Sequence, residues 1–155
     1  YGEGLLRAKL EGLIKKERLQ NYIKMPGIIS HGRLMDMYNG GKVDLVILPS
    51  INTDQGSHEG IPVSLMEAMA YKIAVISTNT GGIPELLSNG AGIMVEEKSP
   101  EQLAGAIETL LENLELKSKS EENGCQYVRE EFNITTIVTS LLKNMENNMR
   151  YRKYG

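Results

Sequence analysis

Two short, nearly continuous apolar runs constrain this chain most: VDLVIL at residues 43–48 and IAVIS at residues 73–77. Runs of this length without polar alternation suit strands buried on both faces, and such strands belong to parallel sheets covered by helices. Parallel neighbours cannot be joined by a tight turn, so the chain must cross over between them, usually through a helix. The apolar stretch IPVSLMEAMA at residues 61–70 supplies that helix. The reading is a β-loop-α-β unit with a long loop at the carboxyl end of its first strand, the place where open α/β sheets bind ligands.

The entry to the crossover helix is chemically marked. A polar loop over residues 52–60 runs into Pro62, and proline is favoured in a first turn because its missing N–H leaves nothing unpaired there, so the helix is expected to begin between Gly60 and Pro62. Backbone amides of a first turn have no partner inside the helix, and the macrodipole adds partial positive charge, which prepares this end for a phosphate or carboxylate. Glu59 precedes the entry and Glu67 lies two turns in. Gly60, Ser64 and Glu67 fall at i, i+4 and i+7 and make a small or polar stripe, while Ile61, Leu65 and Met69 make an apolar one. A ligand would lie on the polar stripe.

The remaining elements follow from periodicity and punctuation. Leu5, Leu6, Leu10, Leu13 and Ile14 predict an amphipathic helix over residues 5–17. Residues 22–25 read as a short strand closed by Pro26-Gly27, and Ser30 caps a helix through Leu34 and Tyr38 that Asn39-Gly40-Gly41 stops. Paired glycines at 81 and 82 follow the second apolar strand, where they turn sharply or let backbone approach a ligand. Residues 92–95 make one more strand. Ser99, read as a cap, and Pro100 open a helix through Leu103, Ala106, Ile107, Leu110 and Leu111, and two more polar helices are expected over 116–131 and 135–149. The basic tail from Arg150 is expected to fray.

Composition narrows the classes. With 155 residues, 41% hydrophobic and 24% charged, the chain is one ordinary domain able to bury a core. A net charge of −3 argues against a nucleic-acid footprint. Cys125 is the single cysteine, which excludes an internal disulfide and favours a reducing compartment. No apolar run approaches the roughly 18 residues of a membrane span. The opening Tyr1-Gly2-Glu3-Gly4, without an initiator Met, suggests a piece of something longer.

Several of these features occur together in one order: Gly2-Glu3-Gly4-Leu5, a strand ending in Leu48-Pro49-Ser50, Glu59 and Glu67 with seven residues between them, the LMEAMA helix, Thr80-x-Gly82 with Pro84-Glu85, and a closing helix after Phe132. That succession resembles the C-terminal domain of family 4 glycosyltransferases of the GT-B fold over nearly the whole chain. The wording HEGIPVSLMEAMA after a loop bearing Asp54 is most similar to the branch that builds bacterial exopolysaccharides of the colanic-acid type. The resemblance implies an α/β fold with a Rossmann-like parallel sheet flanked by helices, the C-terminal half of a GT-B fold with its first strands missing. It implies a single nucleotide-sugar-binding domain over 1–155, truncated on its N-terminal side, with 133–155 as closing helix and tail.

Roles follow from the same resemblance. Glu67 would accept hydrogen bonds from the ribose diol, for which two adjacent acceptor oxygens are suited. Glu59 would be the catalytic carboxylate near the transferred sugar, where it stabilises positive charge developing at the anomeric carbon. Donor sugar and diphosphate would lie on the amides of Gly60, Ile61, Val63 and Ser64 and against Gly81 and Gly82. The nucleobase pocket falls to Ile28, Ile29, Ser30 and Leu34. The family's commonest wording is Glu-Gly-Phe-Gly; Ile61-Pro62 departs from it, removes one N–H and stiffens the loop. The donor would be a UDP- or GDP-linked hexose, transferred with retention and without a metal or other cofactor. The acceptor, a glycan or lipid-linked glycan of bacterial surface polysaccharide or lipopolysaccharide synthesis, would be met by an N-terminal domain absent from this sequence. The family's Arg and Lys would also precede Tyr1, so the chain alone is expected to be inert. The protein would work in the cytoplasm, with room for peripheral association at the inner face of the plasma membrane.

Other readings stand beside these. Glu67 could be a structural carboxylate, Glu59 a solvated one, and Gly81 and Gly82 turn residues only. His31 and His58 read as surface residues, Cys125 as a buried helix residue without chemistry, and Met35, Met37, Met66, Met69, Met145 and Met149 as packing residues. A dehydrogenase- or epimerase-type nucleotide domain is disfavoured because no G-x-G-x-x-G with a downstream acid follows a strand. A non-catalytic interaction domain retaining the fold is the third class. If the sheet follows the order 3-2-1-4-5-6, two strands are missing between 22–25 and 43–48. The 22–25 and 43–48 strands would then close directly on each other, or the piece would be poorly formed or pair with a copy through its edges.

Overall fold

The five residues Ala74–Thr78 are buried without exception, and the fold is arranged around them. This strand, β2, lies between β1 (Leu45–Leu48) and β3 (Ile93–Val95), with both neighbours parallel to it. The computed structural model describes residues 2–52 and 60–151, with side chains to 145. In chain order it contains α1 (Arg7–Lys16), α2 (His31–Asn39), β1, α3 (Val63–Ala70), β2, α4 (Ile83–Leu86), a 3-10 turn at Ser88–Gly90, β3, α5 (Pro100–Glu112), α6 (Leu114–Glu131) and α7 (Ile134–Tyr151). They form two units, Tyr1–Lys42 and Val43–Gly155.

In the second unit the sheet is covered on both faces. Ala74 and Ile76 point to one side and pack with Val95, Ala106 and Leu110, the last two from α5. β2 also meets α3 and α6, which pack on each other. The register pairs Leu45 with Ala74 and Leu48 with Ser77. The sequential order β1-β2-β3, all parallel, is that of one side of a doubly wound sheet. The parallel sheet expected from the apolar runs, and the α/β class that the resemblance implies, are therefore observed.

Several local expectations need correction. Residues 23–30 form no strand. The Met25 carbonyl accepts from the Arg7 guanidinium at 2.7 Å and Gly27 O from Gly2 N at 2.9 Å, so side-chain and turn contacts take the groups a ladder would have used. β1 is not buried on both faces: it is an edge of the described sheet, and Ile47 is 37% exposed. Ser99 stands before α5 but makes no side-chain cap, its ψ of 81° lying off the usual N-cap conformation. Met145 is 51% exposed and Leu111 59%, so neither is a core residue. Ser30 does cap α2, accepting from Arg33 N at 3.4 Å, and Gly40 ends that helix. The closing helix α7 opens on Asn133, whose Oδ1 accepts from Thr136 N at 2.9 Å. Cys125 is buried in α6, with Sγ 3.6 Å from the Ala70 carbonyl.

The contact between α3 and α6 depends on one glycine. A Cβ on Gly124 would lie 2.9 Å from the Ala91 carbonyl and 3.4 Å from Met69 Cγ and Cε. Alanine in place of a helical glycine ordinarily gains about 1 kcal/mol, but overpacking against backbone costs roughly 1–3 kcal/mol. Gly124→Ala is therefore expected to lower the urea midpoint, whereas Gly105→Ala in α5, where a Cβ meets nothing, should raise it.

Candidate functional site

Because all three strands are parallel, the loops after β1, β2 and β3 leave from one edge of the sheet, and the candidate residues of the second unit lie on two of those loops and on α3, which follows the first. The exit of β1 is held down by hydroxyls of β2. Ser77 Oγ donates to the Leu48 carbonyl and Thr78 Oγ1 to the Ser50 carbonyl. Asn52 is then gripped by Glu97, whose carboxylate accepts from the Asn52 amide nitrogen at 2.8 Å and from its Nδ2. These links fix where the loop starts toward the crossover helix.

The loop re-enters at Gly60. Pro62, with φ −75° and ψ 118°, is the N-cap of α3 and not part of its first turn, so the helix starts at Val63, slightly later than the sequence suggested. Pro62 O accepts from Leu65 N at 3.1 Å and from Met66 N at 3.3 Å. Val63 and Ser64 are left as first-turn amides without an intrahelical acceptor. Their faces divide as the stripes required. Leu65 and Met69 are fully buried, Gly60 and Ser64 are exposed, and Glu67 is half-buried. Glu67 has an interaction of its own within the fold, as a carboxylate leaving water should.

The glycine turn after β2 meets this entry directly. Gly82 is packed so closely that a Cβ on it would stand 2.7 Å from Ile61 Cγ1 and 3.1 Å from both C and O of Gly60. Gly81 beside it is in the left-handed region at φ 57° and is exposed. Thus the fold brings together Gly60, Ile61 and Gly82 from two loops separated by the whole of α3 and β2, with Ser64 and Glu67 on the adjoining helix. Glu59, Asp54 and His58 lie outside the described residues.

The nucleobase candidates belong to the first unit. Ile28 is 79% exposed, Ile29 and Leu34 are half-buried, and Ser30 is exposed and engaged as the cap of α2. In the same unit Arg7 binds Glu3 at 2.7 Å and Glu11 at 2.8 Å, and Gly27, at φ 85°, is held against Glu3. His31 opens α2 on the surface.

Two features were missed in the sequence. One is the Asn52–Glu97 clamp, which no motif marks because its members are 45 residues apart. The other is a cleft of about 200 Å³ between Pro49, Ile51, Thr78 and Val95 on one side and Lys98, Pro100 and Leu103 on the other. It contains none of the candidate residues. The signal for it was the helix start at Ser99-Pro100 after a strand.

Comparison with known proteins places these features in a family. The sequence pattern of the family described as "Glycosyl transferases group 1" matches residues 1–127. The chain is 40% identical over 107 residues to a Salmonella typhimurium protein named as the colanic acid biosynthesis glycosyltransferase WcaL, covering 68% of this chain and 26% of that one. It is 35% identical to the amylovoran biosynthesis glycosyltransferase AmsK of Erwinia amylovora, with the same coverage. The chain thus spans about a quarter of the length of these curated relatives. Among solved structures it resembles the C-terminal domain of a glycosyl transferase group 1 family protein, LpcC, from Francisella tularensis, with TM-score 0.70 and 29% identity over 83% of this chain and 63% of that one. It shares the fold of Anabaena HepE, solved with UDP-glucose, with TM-score 0.73 and 22% identity over 90% of this chain and 36% of that one. No helix among the described residues is long and apolar enough to cross a membrane.

The tight contact gives a direct test. Gly82→Ala forces Ile61 and the Gly60 backbone apart, and should lower stability by roughly 1–3 kcal/mol in a thermal melt. Gly81→Ala should cost about 1–2 kcal/mol for its left-handed backbone alone.

Proposed function

The chain belongs to the glycosyl transferases of group 1, and from that membership we propose that it is the donor-binding part of a retaining, metal-independent hexosyltransferase. The observation that carries this reading is the approach of Gly82 to Gly60 and Ile61, which joins two glycine-bearing loops at the head of α3. On this reading the donor is a UDP- or GDP-linked hexose. Its diphosphate and sugar lie along the amides of Gly60, Ile61, Val63 and Ser64, where first-turn N–H groups and the helix dipole favour negative charge. Pro62 has no N–H to offer, so the neighbouring amides carry the contact.

Gly81 and Gly82 bound the sugar on its other side, and a side chain at Gly82 would fill the space the loops share. Glu67 accepts from the ribose hydroxyls, and Glu59 serves the anomeric carbon. The base rests against Ile28, Ile29, Ser30 and Leu34. No cofactor is assigned: the nucleotide enters and leaves as substrate. Support for a nucleotide sugar comes from HepE, which has this fold and was solved with UDP-glucose. Support for the pathway comes from the colanic acid and amylovoran names of the relatives. The acceptor is accordingly a glycan or lipid-linked glycan of bacterial surface polysaccharide synthesis, with the reaction on the cytoplasmic side of the plasma membrane.

Calorimetric titration of the full-length protein with UDP, GDP and ADP tests the reading. One nucleoside diphosphate is expected to bind, and Glu67→Ala should weaken it by about 1–3 kcal/mol, the range for stranding hydrogen-bonded polar groups. Binding of NAD instead, or unchanged affinity in the variant, would overturn it.

A further inference from the structure

Three asparagines in this chain are followed by glycine: Asn39-Gly40, Asn89-Gly90 and Asn123-Gly124. Such a pair carries its own chemistry. Attack by the glycine nitrogen on the asparagine side-chain carbonyl closes a five-membered ring, and no Cβ on the glycine crowds that approach. Ring closure then depends on what holds the glycine N–H and on how freely the backbone turns. The fold treats the three pairs differently. At the end of α2, Gly40 N is engaged, donating to the Asp36 carbonyl at 3.0 Å. Gly124 lies inside α6, where interior N–H groups are spent on carbonyls four residues back, and it is wedged against Ala91 and Met69. Asn89 and Gly90 stand in the 3-10 turn between α4 and β3, both exposed and both left-handed, with φ 57° and 74°. The turn is kinked at Asn89, so no regular helical ladder runs through it. Asn89 Nδ2 donates to Ser88 Oγ at 3.4 Å, a weak restraint at the long limit of a hydrogen bond.

We infer that Asn89 is a site of spontaneous deamidation. The Gly90 nitrogen gives its proton to a solvent base and bonds to Asn89 Cγ, while the Cγ–Nδ2 bond breaks and the side-chain nitrogen leaves as ammonia. Water then opens the succinimide ring at either carbonyl and restores the proton to the Gly90 nitrogen. The products are aspartate, or its isomer with the main chain routed through the former side chain. The net change is water in and ammonia out, with no oxidation or reduction. The isomer has a consequence for the fold. Asn123 Nδ2, on α6, donates to the Asn89 carbonyl at 3.2 Å and to the Gly90 carbonyl at 3.5 Å. Rerouting adds a methylene to the backbone and displaces the first of these carbonyls, so a tie between α6 and the turn is lost. The turn leads into β3, whereas the candidate donor loops follow the strands, so this inference is independent of the function proposed above.

The test incubates the full-length protein at mildly alkaline pH, below its unfolding temperature, beside a synthetic peptide of residues 86–92, and maps both by mass spectrometry. Asn89 is expected to convert within roughly tenfold of the peptide's rate, and roughly tenfold or more faster than Asn39 or Asn123, where the helix must open before attack. The isoaspartyl form, separated by ion exchange, should melt below the unconverted protein. Asn89→Gly keeps the left-handed turn, has no side-chain amide, and should give no acidic form at this position over the same time. Retention of the Asn89 amide far beyond the peptide's conversion time overturns the inference, as does faster conversion at Asn39 or Asn123. An isoaspartyl form that melts with the unconverted protein overturns the loss of the α6 tie.

Discussion

Complete burial of one parallel strand governs the second unit. A strand with neighbours on both sides and helices on both faces can tolerate no exposed polar side chain, and β2 obeys this with Ala74, Val75 and Ile76. Its two polar residues, Ser77 and Thr78, sit at the carboxyl end and spend their hydroxyls on the backbone leaving β1. Parallel pairing then forces every connection to cross over, and α3 makes the one between β1 and β2 while α4 and the 3-10 turn at Ser88–Gly90 make the one between β2 and β3. Since all three strands end at one edge, the loops that follow them are neighbours without being consecutive. The candidate site is a consequence of that edge.

Close packing sharpens what topology permits. Gly124 lets α6 reach Ala91 and Met69, and a side chain at Gly92 would stand 2.7 Å from Val75 Cγ2 and 3.0 Å from the Val75 carbonyl. These contacts leave the sheet and its helices little freedom to slide, because native interiors have few voids into which a displaced side chain could move. The same density at Gly82 makes the head of α3 an extension of the packed interior. A rigid base of this sort suits amides that must meet a charged group without reorganising.

Legibility in the sequence tracked how local each determinant was. The strands at 45–48 and 74–78, the cap at Ser30, the stop at Gly40 and the division of α3 into Leu65 and Met69 against Gly60 and Ser64 were readable, because each depends on residues within a few positions. Residues 22–25 had an acceptable strand pattern, yet alternation shows only that a segment could join a sheet. Whether it does depends on a neighbour, and here Arg7 took the Met25 carbonyl instead. The Asn52–Glu97 clamp was invisible for the same reason, since its members are 45 residues apart. In the site, the residue types and the two glycine loops were legible, but their contact was not.

That contact also explains why position 82 is a glycine. Were Gly81 and Gly82 needed only to turn the chain, a positive φ would be the whole explanation, and it holds for Gly81 alone. Gly82 has an ordinary φ of −86° that any residue adopts. What excludes a side chain at 82 is the backbone of Gly60, approached to 3.1 Å by the position a Cβ would take. Sterics at this position therefore serve the meeting of two loops and not the shape of one. A fold that wanted only to close the β2–α4 turn had no need to press it against the head of α3, where unpaired amides and a half-buried glutamate already stand.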